Sequence, residues 1–104
     1  MEVNKSLKAQ MKEWLIEKYS QKNYYLELFL IGSILSSNQI NDVDIVILVK
    51  IDKEEIKNFI VYQNHIKKEF FNRFNIKLHI TSFTNSEIKE FKNFMSINNF
   101  LKLI

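Results

Sequence analysis

One stretch of the chain, from Phe29 to Val49, constrains the fold more than any other. It holds the only glycine of the sequence, Gly32, and a serine follows at once. Two carboxylates, Asp42 and Asp44, then stand on alternate residues at the start of an apolar run. Two apolar runs that flank a short polar connection are typical of two buried strands joined by a turn.

The spacing of apolar residues predicts the order helix, strand, turn, strand, helix, strand, helix. Apolar residues at intervals of three and four indicate helices, and continuous or alternating apolar residues indicate strands. The predicted elements are a helix over Lys5–Lys18, strands over Tyr24–Ile31 and Val43–Ile51, a helix from an Asp52 cap to Arg73, a strand over Ile76–Thr81, and a last helix capped by Thr84 or Asn85. The apolar tail from Ile97 to Ile104 is expected to cover an edge of the core or to form a contact in a homodimer.

Length and element order together predict one small domain over residues 1–104. The first two strands are expected to be antiparallel neighbours, and the long helix is expected to cross over to the third strand. We therefore expect an α/β (α+β) fold, with a small mixed β-sheet and helices packed on one face. The other face would leave the carboxylates open to solvent and substrate.

Composition excludes several classes of protein. The chain has no cysteines, which rules out disulfides and thiolate metal sites. No apolar run approaches the ~20 residues that a membrane-spanning helix needs. The first residues do not have the pattern of a signal peptide, so we expect a cytoplasmic protein. The net charge of +3 is spread along the chain, so charge neither argues for a nucleic-acid partner nor excludes one.

Asp42 and Asp44 have the pattern of a cation site. Residues two apart on a strand point their side chains to the same face. Two carboxylates so close repel each other, and a bound cation removes that cost. Mg²⁺ prefers oxygen ligands and is commonly held by one or two carboxylates together with substrate phosphates. The alternative is a solvated turn, formed by Asn41 and Asp42 where the strand begins.

Gly32 and Ser33 have the pattern of an anion site. A glycine at the end of a strand lets the backbone approach a ligand closely, and the N–H groups that follow can bind a phosphate. The serine hydroxyl adds a further donor. A Gly-Ser pair is also a common turn, and the glycine-rich Walker A loop is absent.

Combined, these features resemble the nucleotidyltransferase superfamily of the DNA polymerase β type. The likeness is greatest to its small stand-alone members, the minimal nucleotidyltransferase domains. It consists of a buried strand, the Gly32-Ser33 pair, and the motif Asp42-Val43-Asp44 nine residues after the serine, which opens a second buried strand. The element order extends the likeness from about Tyr24 to Phe91, and it implies the nucleotidyltransferase fold.

The resemblance also implies a function and the residues that perform it. Gly32 and Ser33 would hold the triphosphate of a nucleotide, with ATP as the expected one. Asp42 and Asp44 would be catalytic and would hold Mg²⁺ while an acceptor hydroxyl attacks the α-phosphorus and pyrophosphate leaves. Minimal members of the family often act as antitoxins that nucleotidylate a toxin, so a helical toxin-like protein is an expected partner.

His79 departs from the family's pattern. Active members usually carry a third carboxylate on a later strand, and the corresponding segment here, Leu78-His79-Ile80, has a histidine. Imidazole is a poor Mg²⁺ ligand beside carboxylates, but it can act as a base near neutral pH. His79 is therefore either a catalytic base or a strand residue in a weakened site. Ile34-Leu35 follows Gly-Ser where small members tend to have Arg or Lys, which predicts weaker phosphate binding.

The remaining aromatic and basic residues have simpler interpretations. We expect the long helix to contribute its aromatic side chains to the core rather than to a base-stacking platform; these are Phe59, Phe70, Phe71 and Phe74. His65 is expected on the surface. Lys77 shares its strand face with His79 and is expected to be solvated, although it lies where it could meet a phosphate.

Two functions compete. The first is an enzyme that transfers a nucleoside monophosphate to a hydroxyl of a small molecule, a protein or RNA. The second is a weakened or inactive module that keeps the fold and acts through a protein partner. A plain α+β domain without a nucleotide site is the third possibility, and a large separation between Ser33 and Asp44 would favour it.

Overall fold

The structure is a computed structural model and describes every residue from Met1 to Ile104. It contains three α-helices and four β-strands. In chain order these are α1 (Lys5–Ser20), β1 (Tyr25–Ile31), β2 (Asp42–Lys50), α2 (Lys53–Phe74), β3 (Lys77–Thr84), α3 (Ile88–Ser96) and β4 (Phe100–Lys102). Two single 3-10 turns cover Ser33–Leu35 and Asn85–Glu87.

The strands form one mixed sheet in the order β3-β2-β1-β4. β1 is antiparallel to β2, and the pair is joined by the connection that contains Gly32 and Ser33. β2 and β3 are parallel, and α2 makes the crossover between them. The predicted α+β class, the antiparallel first pair and the helical crossover are confirmed.

Side chains alternate along the strands and divide the sheet into two faces. On β2, Val43, Ile45, Ile47 and Val49 point into the larger core, which α1 and α2 cover. Val46 points to the other face, where Phe91 and Met95 of α3 pack on Phe29 and Ile31 of β1. The expectation of helices on one face therefore describes α1 and α2, while α3 covers part of the opposite face.

Helix ends show why the helices begin and stop where they do. Asn4 caps α1, because its Oδ1 accepts a hydrogen bond of 2.8 Å from the N–H of Leu7. Asp52 stands at the N-cap position of α2, but its side chain makes no capping hydrogen bond. Asn75 ends α2 with a left-handed φ of 56°. Thr84 and Glu87 form a reciprocal capping box that starts the last helical segment.

The aromatic side chains of α2 divide between the core and the surface. Phe59, Phe70 and Phe74 are at most 5% exposed and lie in the larger core, as expected. Phe71 is 45% exposed, so the core prediction is wrong for this residue. A helical residue lies about 100° around the axis from its neighbour, and Phe70 already occupies the buried face.

The C-terminal tail packs on the domain itself. β4 pairs antiparallel with β1 over Phe29–Ile31, and the N–H of Leu103 donates a 2.7 Å hydrogen bond to the carbonyl of Leu28. Ile97, Phe100 and Leu101 remain exposed at this edge of the sheet. None of the three helices combines the length and the apolar character needed to cross a membrane.

Candidate functional site

Three potential ligand groups meet where β2 and β3 begin. Asp42 and Asp44 lie on one face of β2, the face that α3 leaves open at this end of the sheet. His79 is the register partner of Asp44 on the parallel strand β3. Directly paired residues of neighbouring strands point to the same face, so the topology places the imidazole beside both carboxylates.

The distances within this group are short. The Nδ1 atom of His79 lies 3.5 Å from Oδ1 of Asp44 and 3.7 Å from Oδ2 of Asp42. One ligand atom from each of the three residues lies within 4.8 Å of the others. All three side chains are partly open to solvent, with His79 the most exposed. The three groups are therefore close enough to contact one cation or one substrate group.

Asp44 carries an electrostatic cost in this position. Partial burial raises the pKa of its carboxyl group, and the neighbouring Asp42 raises it further. His79 acts in the opposite direction and offsets part of this effect. A cation bound between the two carboxylates would favour their ionised forms, so the pair has the electrostatics of a cation site.

Gly32 lies against the Asp44 carboxylate. Its φ of 84° and ψ of −160° belong to a region that is essentially restricted to glycine. A Cβ atom built on this residue would lie 2.7 Å from Oδ2 of Asp44, which is too close for a non-bonded contact. Glycine is therefore required here for two reasons, the backbone conformation and the space that the carboxylate occupies.

The 3-10 turn after Gly32 is held from both sides. The carbonyl of Gly32 accepts a hydrogen bond from the N–H of Leu35, and the carbonyl of Ser33 accepts from Ser36 and Ser37. Ile34 is only 3% exposed and anchors the turn in the larger core. The apolar residue found where the family tends to have Arg or Lys thus has a packing role.

The first N–H groups of the turn are available to a ligand. The leading N–H groups of a helical turn have no acceptor within the turn. Gly32 and Ser33 are exposed, and the Ser33 hydroxyl makes no hydrogen bond within the chain. The turn contacts β2, and its first residue, Gly32, lies beside the Asp44 carboxylate. Ser33 and Asp44 are therefore close together. A large separation would have favoured a plain α+β domain without a nucleotide site.

A row of paired residues crosses all four strands at this level. Asp44 pairs with His79 on one side and with Ile31 on the other, and Ile31 pairs with Phe100 of β4. Ile31 is buried at 8% exposed, whereas Phe100 is 50% exposed, so Phe100 presents an apolar ring on this row at the β4 edge. Phe100 was not expected at the site, because only the strand pairing of the tail brings it to this row.

Two further predicted residues lie where the sequence suggested. His65 is exposed on α2, with its Nε2 atom 2.6 Å from Oε1 of Glu69. The helix α2 covers the sheet face opposite Asp42 and Asp44. Lys77 is exposed, shares the sheet face of His79 and pairs in register with Asp42. It forms no ion pair, so its ammonium group is free to meet an anion at this end of the sheet.

The likeness to the minimal nucleotidyltransferase domains depends on the Gly32-Ser33 turn, the Asp42-Val43-Asp44 motif and the order of the elements. The fold brings the turn and the motif into contact, which a shared sequence pattern alone does not require. Comparisons of the chain with models of protein families, with curated proteins and with solved structures find no match, so the family assignment stays a prediction.

Proposed function

We propose that the protein is a Mg²⁺-dependent nucleotidyltransferase, which transfers a nucleoside monophosphate from an NTP, with ATP as the expected one, to an acceptor hydroxyl. The observation that carries this proposal is the contact between Gly32 and the Asp44 carboxylate. A glycine turn and a pair of carboxylates are each common. Their contact puts donors suited to phosphate beside ligands suited to a cation, and a metal–nucleotide complex requires both.

The donor set supports Mg²⁺ as the cation. Asp42 and Asp44 would hold it, because carboxylate oxygens are the ligands that Mg²⁺ prefers. His79 would stay outside the ligand set, since imidazole suits transition metals better. When bound, Mg²⁺ would neutralise phosphate charge and make the α-phosphorus a better electrophile.

The residues of the chain would bind the rest of the nucleotide. The N–H groups and hydroxyl that follow Gly32 would donate hydrogen bonds to the triphosphate. The half-exposed ring of Phe100 would lie under the base, because aromatic rings stack on bases with little sequence preference. The nucleotide would thus extend from the carboxylates toward β4.

His79 would act from the opposite side of Asp44. The acceptor oxygen would form a bond to the α-phosphorus as the bond from that phosphorus to the bridging oxygen of the β-phosphate breaks. Pyrophosphate would leave, and the hydroxyl proton would pass to the His79 imidazole and then to solvent. The register of β2 and β3 supports this role, because it keeps the imidazole beside the carboxylates.

A second candidate function is a binding module that holds a nucleotide but transfers nothing. The observation that favours it is His79 itself, because an imidazole supplies no negative charge, whereas active members of the proposed family carry a third carboxylate. The proposal also includes three expectations that stay predictions. The protein would act with a helical toxin-like partner, it would form a homodimer, and it would be located in the cytoplasm.

The release of pyrophosphate tests the proposed activity. The protein is incubated with Mg²⁺, each of the four NTPs in turn and a mixed pool of hydroxyl acceptors. Release above the protein-free rate is expected from the wild type, and its loss is expected from Asp42→Asn and Asp44→Asn. Asp52→Asn is the matched control, because Asp52 makes no capping hydrogen bond. Nucleotide binding without release would support the binding module instead.

A further inference from the structure

A second surface adjoins His79 on the side away from the glycine turn. It is a groove of about 500 Å³ between α2 and β3, at the edge of the sheet where β3 has no neighbouring strand. We call it the lysine groove. Its lining residues are Lys67, Lys68, Phe71, Lys77, Leu78 and His79.

The lysine groove concentrates positive charge that the chain does not neutralise. All three lysines are exposed, and none takes part in an ion pair. No carboxylate lines the groove. The nearest acid in sequence, Glu69, is already engaged by Lys18 at 2.9 Å. Three cations on two elements suit a ligand with several spaced negative charges.

Phe71 gives the groove an aromatic face between the cations. It is the one phenylalanine of α2 on the surface, 45% exposed, whereas Phe59, Phe70 and Phe74 are buried. Exposing a large apolar side chain forgoes the stabilisation that its burial would give. An exposed ring among lysines is the combination by which proteins bind single-stranded nucleic acids, through base stacking and backbone phosphate contacts.

His79 connects the lysine groove to the site at Asp42 and Asp44. It lines the groove and lies 3.5 Å from Asp44 and 3.7 Å from Asp42. A chain molecule lying along the groove would therefore have one end beside the carboxylates. The opposite side of Asp44 holds Ile31 and the glycine turn, so the nucleotide and the groove ligand would approach from different directions.

We propose that the lysine groove binds a single-stranded nucleic acid, and that its terminal hydroxyl is the acceptor for the nucleotidyl group. The acceptor part of this inference rests on the proposed function; the binding part does not. In the transfer, the terminal oxygen forms the new bond to the α-phosphorus and pyrophosphate leaves with the bridging oxygen. The hydroxyl proton goes to His79, and the strand grows by one nucleotide.

Binding to the lysine groove is tested with an oligonucleotide alone, in the absence of NTP and metal. The fluorescence anisotropy of a labelled oligonucleotide of about 12 nucleotides is followed with the full chain, with uridine and thymidine homopolymers as separate arms for RNA and DNA. The salt dependence is the slope of log Kd against log salt concentration. Each phosphate contact on a single strand contributes about 0.7 to this slope, so the loss of three contacts should reduce it by about 2. The variant that tests this is the triple substitution Lys67→Ala, Lys68→Ala, Lys77→Ala. Lys53→Ala, Lys57→Ala, Lys89→Ala removes the same charge elsewhere and should change the slope much less.

The aromatic contribution has its own pair of variants. Phe71→Ala should weaken binding by about tenfold or more, as expected for the loss of one stacked base. Tyr25→Ala removes an exposed ring outside the groove, 82% exposed, and should leave the affinity unchanged. Circular dichroism confirms that each variant is folded before its affinity is compared.

The outcomes separate this inference from the proposed function. Oligonucleotide binding that depends on the groove lysines and on Phe71, followed by extension of the strand by one nucleotide with Mg²⁺ and NTP, would support it in full. The inference is overturned if neither homopolymer binds, if the two triple variants behave alike, or if inorganic polyphosphate competes equally well and Phe71→Ala has no effect. None of these results would alter Mg²⁺–ATP binding at Asp42 and Asp44, which is measured separately.

Discussion

Gly32 and Asp44 are in direct contact, and a Cβ atom on residue 32 would lie 2.7 Å from Oδ2 of Asp44. The only glycine of the chain thus ends β1 and makes room for a carboxylate of β2. In the same row of the sheet, Asp44 also meets His79. One glycine therefore connects the backbone turn, the carboxylate pair and the imidazole.

Gly32→Ala is expected to lower both stability and nucleotide binding. The backbone region at φ 84° and ψ −160° costs a non-glycine residue about 1–3 kcal/mol, and the added methyl group displaces the Asp44 carboxylate. Chemical denaturation measures the first effect and calorimetry the second. Ser36→Ala, an exposed change in the same turn, serves as the control. If Gly32→Ala were as stable as the wild type, the result would contradict the requirement for glycine at this backbone conformation.

Asp44→Asn is expected to stabilise the fold at neutral pH. Burial and Asp42 raise the pKa of Asp44 above its ordinary value of 3.8, so the folded protein holds this proton more tightly than the unfolded chain does. Wild-type stability should therefore decline as pH rises from about 3.8 through the raised pKa, because ionisation then costs the folded state. The variant lacks this decline.

The measurement is urea denaturation across this pH range, in buffer with a chelator so that no cation masks the repulsion. The free energies of unfolding should converge below the ordinary pKa and separate above it, with Asp44→Asn the more stable. A variant that is less stable than the wild type at neutral pH would show that the carboxylate stabilises the fold instead.

His79→Asp is expected to raise turnover. The change supplies a third carboxylate, which active members of the proposed family carry at this place, and a correctly placed acid or base typically contributes about 10²–10⁴-fold to a rate. We expect a gain of roughly 10²-fold in pyrophosphate release. His65→Asp puts the same charge on the only other histidine, which is exposed on α2, and should give no gain. The new carboxylate would take over from the imidazole as proton acceptor and would add negative charge. A rate equal to or below the wild-type rate in His79→Asp would contradict the expected gain.

Glu69→Gln is expected to cost at most about 1 kcal/mol, because exposed ion pairs contribute little. The hydrogen bond from Lys18 lowers the pKa of Glu69 below its ordinary value of 4.5, with a smaller contribution from His65. Its stabilisation is therefore present above pH 4.5 and is lost as pH falls through the lowered pKa. Chemical denaturation at one pH above 4.5 and one pH well below it measures the cost of Glu69→Gln. Glu13→Gln is the control, because Glu13 forms no ion pair. A cost that persists in acid would contradict the ion pair.

Much of the fold follows from local patterns in the sequence. Apolar runs and helical spacing located the ends of α1, β1, β2 and α2 to within two residues, because each element buries a face that its own residues define. β3 extends to Thr84, beyond the predicted end at Thr81, because its pairing with β2 continues through polar residues. Pairing with a neighbour can keep a strand extended where its own composition does not predict one.

The site was predictable in part, for a similar reason. Residue type and spacing were enough to single out Gly32, Asp42 and Asp44 in the sequence. The contact between Gly32 and Asp44, however, depends on the register of β1 and β2. Phe71 and Phe100 had no such signal. The first is placed by the packing of its helix neighbours, and the second by the pairing of a three-residue strand, so only the assembled sheet shows that both flank the site.

The most direct test of the proposed function is isothermal titration calorimetry of Mg²⁺ with a non-hydrolysable ATP analogue. The wild type should bind at a single site, and a chelator should abolish the signal. The double variant Asp42→Asn, Asp44→Asn should lose binding while Asp52→Asn keeps it. No binding by the folded wild type, or equal binding by the double variant, would contradict a metal–nucleotide site at Asp42 and Asp44.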